Sequence, residues 1–387
     1  MASDVEKVVL AELDAAEPLM LDLLRRIVDI DSGSRNKPGV DAVGQVLADF
    51  LADAGMQITV ESRVDHGDIV VARSGTGSDA ERPILFLAHL DTAFPDGEAG
   101  RRPFRVEAGR AYGPGVSDMK AGVAMLAVVL SVLARHRAHP FPLLALFTGD
   151  EEIGSPASRG FISSAGASAR AAFNCEPGRS PNLVVHGRRG GMVLEVRLTG
   201  RAAHAGANIA DGVSAIEELA RCVIALHALN DAERGISINV GLVSGGEAPN
   251  TVAPSASATV DLRYRYPADR EGLVAQVERI VHDRSPGAGG DVEIRYEFLP
   301  LSKTQANDAL YEHYRRCAEE IGMEVGSTYT GSCSDSGFVA AQGCPVLCAA
   351  GPVGAHWHTP LEYAEISTFV GRAKALALAV MRLGTGN

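Results

Sequence analysis

No two of the six cysteines stand in a CxxC pair. Cys175, Cys222, Cys317, Cys333, Cys344 and Cys348 show no regular spacing, so neither a disulfide framework nor a thiolate zinc site is indicated. Reduced, mostly buried thiols of a cytoplasmic protein are expected instead. Basic residues are also scarce: 36 Lys and Arg face 48 Asp and Glu, a formal charge of −12. That argues against a nucleic-acid partner, which needs a basic footprint. The opening MASDVEKVVLAELDAAEPLM puts acids where a secretory signal needs a basic start and an unbroken apolar run. No stretch reads as the ~20 apolar residues that span a bilayer, so no membrane partner is expected. A serine-hydrolase GxSxG elbow is missing, and Gly113-x-Gly115 lacks the third glycine of a dinucleotide fingerprint. Internal repeats, low-complexity tracts and long linkers are absent as well.

What is present is ordinary for a globular protein of 387 residues: 46% hydrophobic and 22% charged. An amphipathic helix is expected through about Ile27 and a second over Val40–Gly55. The continuous apolar runs PILFLAHL, PLLALFTGD and AAFNCEP read as strands buried on both faces, with the helix KAGVAMLAVVLSVLARH after the first. Alternation of buried strands and helices indicates an α/β layered sheet. Near His186 the pattern changes. GMVLEVRLTG, SINVGLVSGG and SATVDLRYRY alternate apolar and polar residues, as half-exposed antiparallel strands do, with the helix VSAIEELARCVIALHAL between the first two. A small α+β unit over 187–301 is therefore expected as an insertion between 1–186 and 302–387, which share one sheet.

Five stretches carry candidate chemistry. His89 and Asp91 end a buried strand and point to one face, at the carboxyl edge where open α/β sheets hold their sites. Asp91 could orient the His89 ring or merely cap a loop. Asp118 lies in a Gly-rich turn before a long helix, where helix capping is its alternative. Asp150, Glu151 and Glu152 follow a buried strand, where three consecutive acids are costly unless something positive neutralises them. Glu176 follows another apolar run. His356 and His358 precede Glu362. The ordered set of imidazoles and carboxylates suits zinc, with cobalt or manganese as substitutes. Two ions work if one carboxylate bridges them.

FLAHLDT, AYGPGVSDMKAG, LFTGDEEIGS, NCEP, GRAAHAGA, APNTVAPSASATVDLRY and HWHTPLEY resemble the zinc-dependent superfamily of glutamate carboxypeptidase, aminoacylase, acetylornithine deacetylase and succinyl-diaminopimelate desuccinylase. The bacterial glutamate carboxypeptidase branch is nearest. The resemblance implies a mixed-sheet α/β/α catalytic domain with an inserted, smaller, ferredoxin-like α+β dimerisation domain, and hence a homodimer. It implies two Zn2+. Asp118 bridges them, His89 and Glu176 complete one site, and Glu152 and His358 complete the other. Asp91 orients His89, Glu151 is the general base, and a cis peptide follows Asp118. His204 would stabilise the oxyanion, usually from the partner subunit; a turn histidine is its alternative. Asn250, Arg263 and Asp335 match substrate-binding positions, with a plain ion pair as the alternative for Arg263.

His356 competes with His358 as a ligand, and the resemblance implies His358, whose spacing to Glu362 fits the family's final motif. The segment Gly331-Ser-Cys333-Ser-Asp335 departs from the Gly-rich stretch of the glutamate enzymes and puts glutamate specificity in question. The expected reaction is hydrolysis of an amide bond, peptide or N-acyl, beside a free carboxylate. A carbamate, ureido or aryl-amine bond at the same site is one alternative, and a non-catalytic small-ligand-binding descendant is another.

Overall fold

The central strands Ile84–His89 and Leu143–Thr148 are buried along their whole length, and Ala171–Asn174 is buried likewise. They pair in parallel, which accounts for sequences that are apolar on both faces. Val346–Leu347 adds a further parallel strand. On the other side Ile69–Ser74 pairs antiparallel with Leu143–Thr148, and Gln57–Glu61 pairs antiparallel with Ile69–Ser74. The six-stranded sheet is therefore mixed, as expected for the α/β class. Helix Ala121–His136 is apolar nearly all round because it lies in the core, with Phe369–Met381 beside it.

The computed structural model describes residues 3–74 and 81–384. Residues 1–2 and 385–387, the outer ends of the expected catalytic region, lie outside the described residues. The chain divides into two units: Met1–Gly187 with Lys303–Thr330 and Ser334–Asn387, and Arg188–Ser302 with Gly331–Cys333. In the second unit the strands Ser237–Gly245, Ser255–Tyr264, Gly190–Thr199 and Gly289–Phe298 neighbour one another in that order, all antiparallel. Numbered along the chain, the order is 2-3-1-4, that of a ferredoxin-like β-α-β-β-α-β unit. Helices Ala215–His227 and Asp269–His282 close its apolar core. Gly331–Cys333 is drawn in by Arg188, whose Nη1 donates to Ser332 Oγ at 2.9 Å and to the Cys333 carbonyl at 2.8 Å.

Three expectations need correction. The N-terminal helix is two, Asp4–Asp14 and Glu17–Val28. Pro18 lies in the first turn of the second, where a residue needs no N–H partner. The next helix starts at Lys37, earlier than Val40, because the Asn36 side chain accepts from Gly39 N–H as its N-cap. And the run Val116–His136 is long and apolar enough to cross a membrane; 94% of its most apolar window is buried in the protein, as in a core helix.

Candidate metal centre and active site

The site sits where the parallel strands end. His89 closes one strand and Asp91 follows it, 2% and 0% exposed. His89 Nδ1 lies 3.0 Å from the Asp91 carbonyl and 3.3 Å from Asp91 Oδ1. The backbone of Asp91 thus shares with its carboxylate the task of holding the ring. The carboxylate also accepts from Ser34 Oγ at 2.6 Å and from the backbone N–H groups of Glu151 and Glu152 at 3.2 and 3.1 Å. Asp91 therefore ties the histidine strand to the acidic loop.

With Nδ1 engaged, His89 Nε2 faces Asp118 Oδ1 at 3.3 Å and Glu176 Oε1 at 3.9 Å. The other oxygen of Asp118, Oδ2, lies 3.5 Å from His358 Nε2, which is 3.2 Å from Glu152 Oε2. Two donor sets, His89–Asp118–Glu176 and Asp118–Glu152–His358, thus share one aspartate. Among the described residues Glu152 Oε1 has no hydrogen-bond partner though buried, an expensive state for a carboxylate oxygen that a cation would relieve. Imidazoles and carboxylates are the donors zinc takes. By donor chemistry and by this orphaned oxygen, the residues fit a metal.

The Asp118 turn is held from a distance. Glu362 accepts from the N–H groups of Gly115, Ser117 and Asp118 at 3.0, 2.9 and 2.8 Å. Trp357 Nε1 donates to Ser117 Oγ at 3.0 Å. Gly115 has φ +67°, and a Cβ there would meet Thr92 Cγ2 at 2.2 Å, so only glycine fits. The Asp118–Met119 peptide is cis. The three consecutive acids separate: Asp150 turns away to accept from the N–H groups of Ala157 and Ser158, while Glu152 joins a donor set.

Crowded acids and imidazoles perturb one another. Burial, with the charges of Glu176, Asp335 and Glu152, raises the Glu151 carboxyl well above the usual range despite His89. Burial raises Glu152 too, and lifts Glu362 to about 8 against its three backbone donors. Hydrogen bonds to Asp118 and Glu152 raise His358 to about 10. Burial opposes the charged ring of His89, but Asp118, Asp91 and Glu151 outweigh it and its pKa rises. Burial acts on Asp118 in the opposite sense to the two imidazoles, which prevail and hold it low.

Residues 85–382 match the model of peptidase family M20/M25/M40. The chain belongs to this family. It is a metal-dependent hydrolase of the M20 class, acting on peptide or acyl-amino-acid bonds. Carboxypeptidase G2 of Pseudomonas sp. (strain RS-16) is 28% identical, over 96% of this chain and 90% of that one. Succinyl-diaminopimelate desuccinylase of Acidiphilium cryptum is 30% identical, over 90% and 93%. Among solved structures, a tripeptidase from Staphylococcus aureus aligns with a TM-score of 0.78 at 22% identity, covering 96% of this chain and 99% of that one. An M20 metallo-carboxypeptidase from Sulfolobus solfataricus aligns at 0.78 and 18%, covering 94% and 99%. At these identities the structures show a shared M20 fold.

The other named residues lie as follows. His356 is in neither donor set; its ring packs 5.8 Å from that of Tyr363. Asp335 is buried, accepts from Ser155 Oγ, and is pushed up to about 7 by burial. His204, Asn250 and Arg263 belong to the second unit. There Ala205 N–H donates to the Asn250 carbonyl at 2.9 Å and Thr251 bridges to His204, so the two loops are stitched together. Gly206 and Ala207 N–H both donate to His204 Nδ1 at 3.1 Å. Nδ1 is thereby occupied as an acceptor, which leaves Nε2 for other partners.

Sequence reading missed Ser34, Glu362 as an anchor, and Asp150 as a cap. Only Glu362 gave a signal, an acid in the otherwise apolar or aromatic PLEY. His358→Ala is expected to lower metal content and hydrolysis; His356→Ala is expected to keep both. Metal analysis of the two variants checks this, and the reverse pattern would reassign the ligand.

Proposed function

We propose that the protein hydrolyses an amide bond, peptide or N-acyl, next to a free carboxylate, as a glutamate-carboxypeptidase-like di-zinc enzyme. The observation that carries this reading is the shared Asp118, whose two oxygens face separate donor sets. His89 and Glu176 would hold one ion with it, and Glu152 and His358 the other. Zinc ions, when bound, would polarise the scissile carbonyl, acidify water and offset the negative charges that hold the Glu151 proton.

Glu151 takes the proton of the attacking water on its carboxylate and returns it to the leaving nitrogen. Its backbone N–H is held by Asp91 at 3.2 Å, which anchors this residue beside His89. His204, with Nδ1 occupied as an acceptor, supplies an Nε2–H donor for the oxygen that gains charge in the transition state. Asn250 and Arg263 meet the substrate's carboxylate, where a guanidinium fork binds both oxygens. Asp335, buried and held by Ser155 Oγ, is the third residue of this reading that meets the substrate.

A homodimer is part of the proposal. The second unit exposes Ile224, Leu242 and Val243, and Ser237–Gly245 is an edge strand. An apolar edge of this kind favours pairing with a second copy. The free thiols suit a reducing cytoplasm.

The test is a hydrolysis panel with zinc: N-acyl amino acids, dipeptides, folate-type glutamates, and carbamoyl, ureido and aryl-amine analogues. Carboxylate-bearing amides are expected to turn over. If only carbamates, ureido compounds or aryl amines did so, the carboxypeptidase-type assignment would fail while the metal site stood. If nothing turned over with metal bound, a small-ligand-binding protein would be the better reading.

A further inference from the structure

Arg263 does not stand free on its strand. Along Ser255–Tyr264, Leu262 and Tyr264 point into the core of the second unit, leaving Asp261 and Arg263 together on the opposite face. Arg263 Nε donates to Asp261 Oδ1 at 2.8 Å and Nη2 donates to Asp261 Oδ2 at 2.7 Å. This pair uses one edge of the guanidinium fork, the Nε–Nη2 edge. Among the described residues one contact is made on the other side: Nη1 donates to Cys333 Sγ at 2.9 Å. A thiol is a weak acceptor, and burial raises the Cys333 pKa, so the sulfur stays neutral. It is a poor competitor for a carboxylate.

The strand alongside makes room for this arrangement. Gly191 is the register partner of Arg263. A Cβ there would lie 2.9 Å from Arg263 Cδ and 3.0 Å from Cys333 Sγ. Glycine therefore lets the arginine stem lie flat between strand and thiol. A buried side chain at this position would lift the guanidinium out of place.

We propose that Asp261 is a positioning residue for substrate recognition: it clamps the Nε–Nη2 edge of Arg263 so that the Nη1–Nη2 edge is presented to the carboxylate of the substrate, with Cys333 as its displaceable occupant. This rests on the assignment of Arg263 to the substrate's carboxylate. Asp261 also explains how one arginine can accept a monocarboxylate without a large excess of positive charge, because its own charge is already balanced. A substrate bringing a single carboxylate fits such a fork, since its two oxygens match the two remaining donors.

The experiment compares wild type, Arg263→Ala, Asp261→Asn and Asp261→Glu on N-benzoylglutamate, or on whichever carboxylate-bearing amide of the panel turns over fastest. Asp261→Asn is expected to raise KM about tenfold, the loss of one oriented charge-assisted contact, with kcat within about twofold. Asp261→Glu, which restores the charge, is expected to recover part of that loss. Melting temperature and zinc content report whether each variant folds. An unchanged or lowered KM in folded Asp261→Asn, or a fall in kcat alone, would overturn the proposal. Arg263→Ala separates the two readings. If it leaves KM unchanged, the assignment of Arg263 itself fails. If it raises KM while Asp261→Asn does not, only the clamp fails.

Discussion

Glu151→Gln is expected to lower kcat by roughly a hundred- to ten-thousandfold, the range for a general base, while zinc content stays as in wild type. The variant keeps the shape and the backbone N–H that Asp91 holds, and removes only the ability to take a proton. Glu151 is in neither donor set, so its loss need not release metal. Hydrolysis assays and metal analysis on the same sample give both numbers. A variant with full activity would remove Glu151 from the mechanism. A variant that loses activity together with its metal would make Glu151 a ligand.

Stripping the metal with a chelator is expected to abolish hydrolysis and to lower the melting temperature by roughly 5–10 °C, taking two ions each held at about a hundredfold over Kd. The loss should grow as pH rises. In the metal-free protein Glu362 and Asp335 titrate near 8 and 7, and Glu151 and Glu152 are also raised from the ordinary 4.5. An acid whose folded pKa is raised holds its proton more tightly when folded. Its stability is complete below the unfolded value and is lost as pH climbs through the folded one. His358, raised to about 10, and His89 act in the same direction, since their charged rings favour the fold below about 6.5 and lose that advantage at higher pH. Stability of the metal-free protein should therefore fall from about pH 5 to pH 8. A metal needs ionised carboxylates and neutral imidazoles, so its binding releases protons and strengthens over the same range. Melting curves at pH 5.5 and 8 with and without zinc check this. A gap that narrows at pH 8 would contradict it.

Much of the catalytic layer was legible because its strands are buried on both faces. Apolar runs ending in His89, in Glu151–Glu152 and in Glu176 placed acids beside buried strands, a costly arrangement that a cation relieves. Helix Asp269–His282 was not legible. It buries only Leu273, Val277 and Val281, a stripe too narrow to stand out among charged neighbours. Helix Arg159–Ser168 is built largely of small and polar residues and buries only Ile162, Ala165 and Gly166. The fate of Asp150 was hidden for another reason. Three adjacent acids look alike in a sequence, and only the turn toward Ala157 and Ser158 shows that the first serves the fold. Ser34 reaches Asp91 across 57 positions, a contact that no local pattern announces. Arg263 stood open between a substrate contact and a plain ion pair. The structure shows its ion pair with Asp261 made on one edge of the fork and, among the described residues, a thiol on the other side.

The most direct measurement is the metal stoichiometry of purified protein and of Asp118→Ala, by elemental analysis after equilibration with zinc. Two ions per wild-type chain, and loss of the pair in the variant, are what a shared aspartate requires. Wild-type chains that saturate with a single ion, or a variant that still holds two, would contradict a centre built around Asp118.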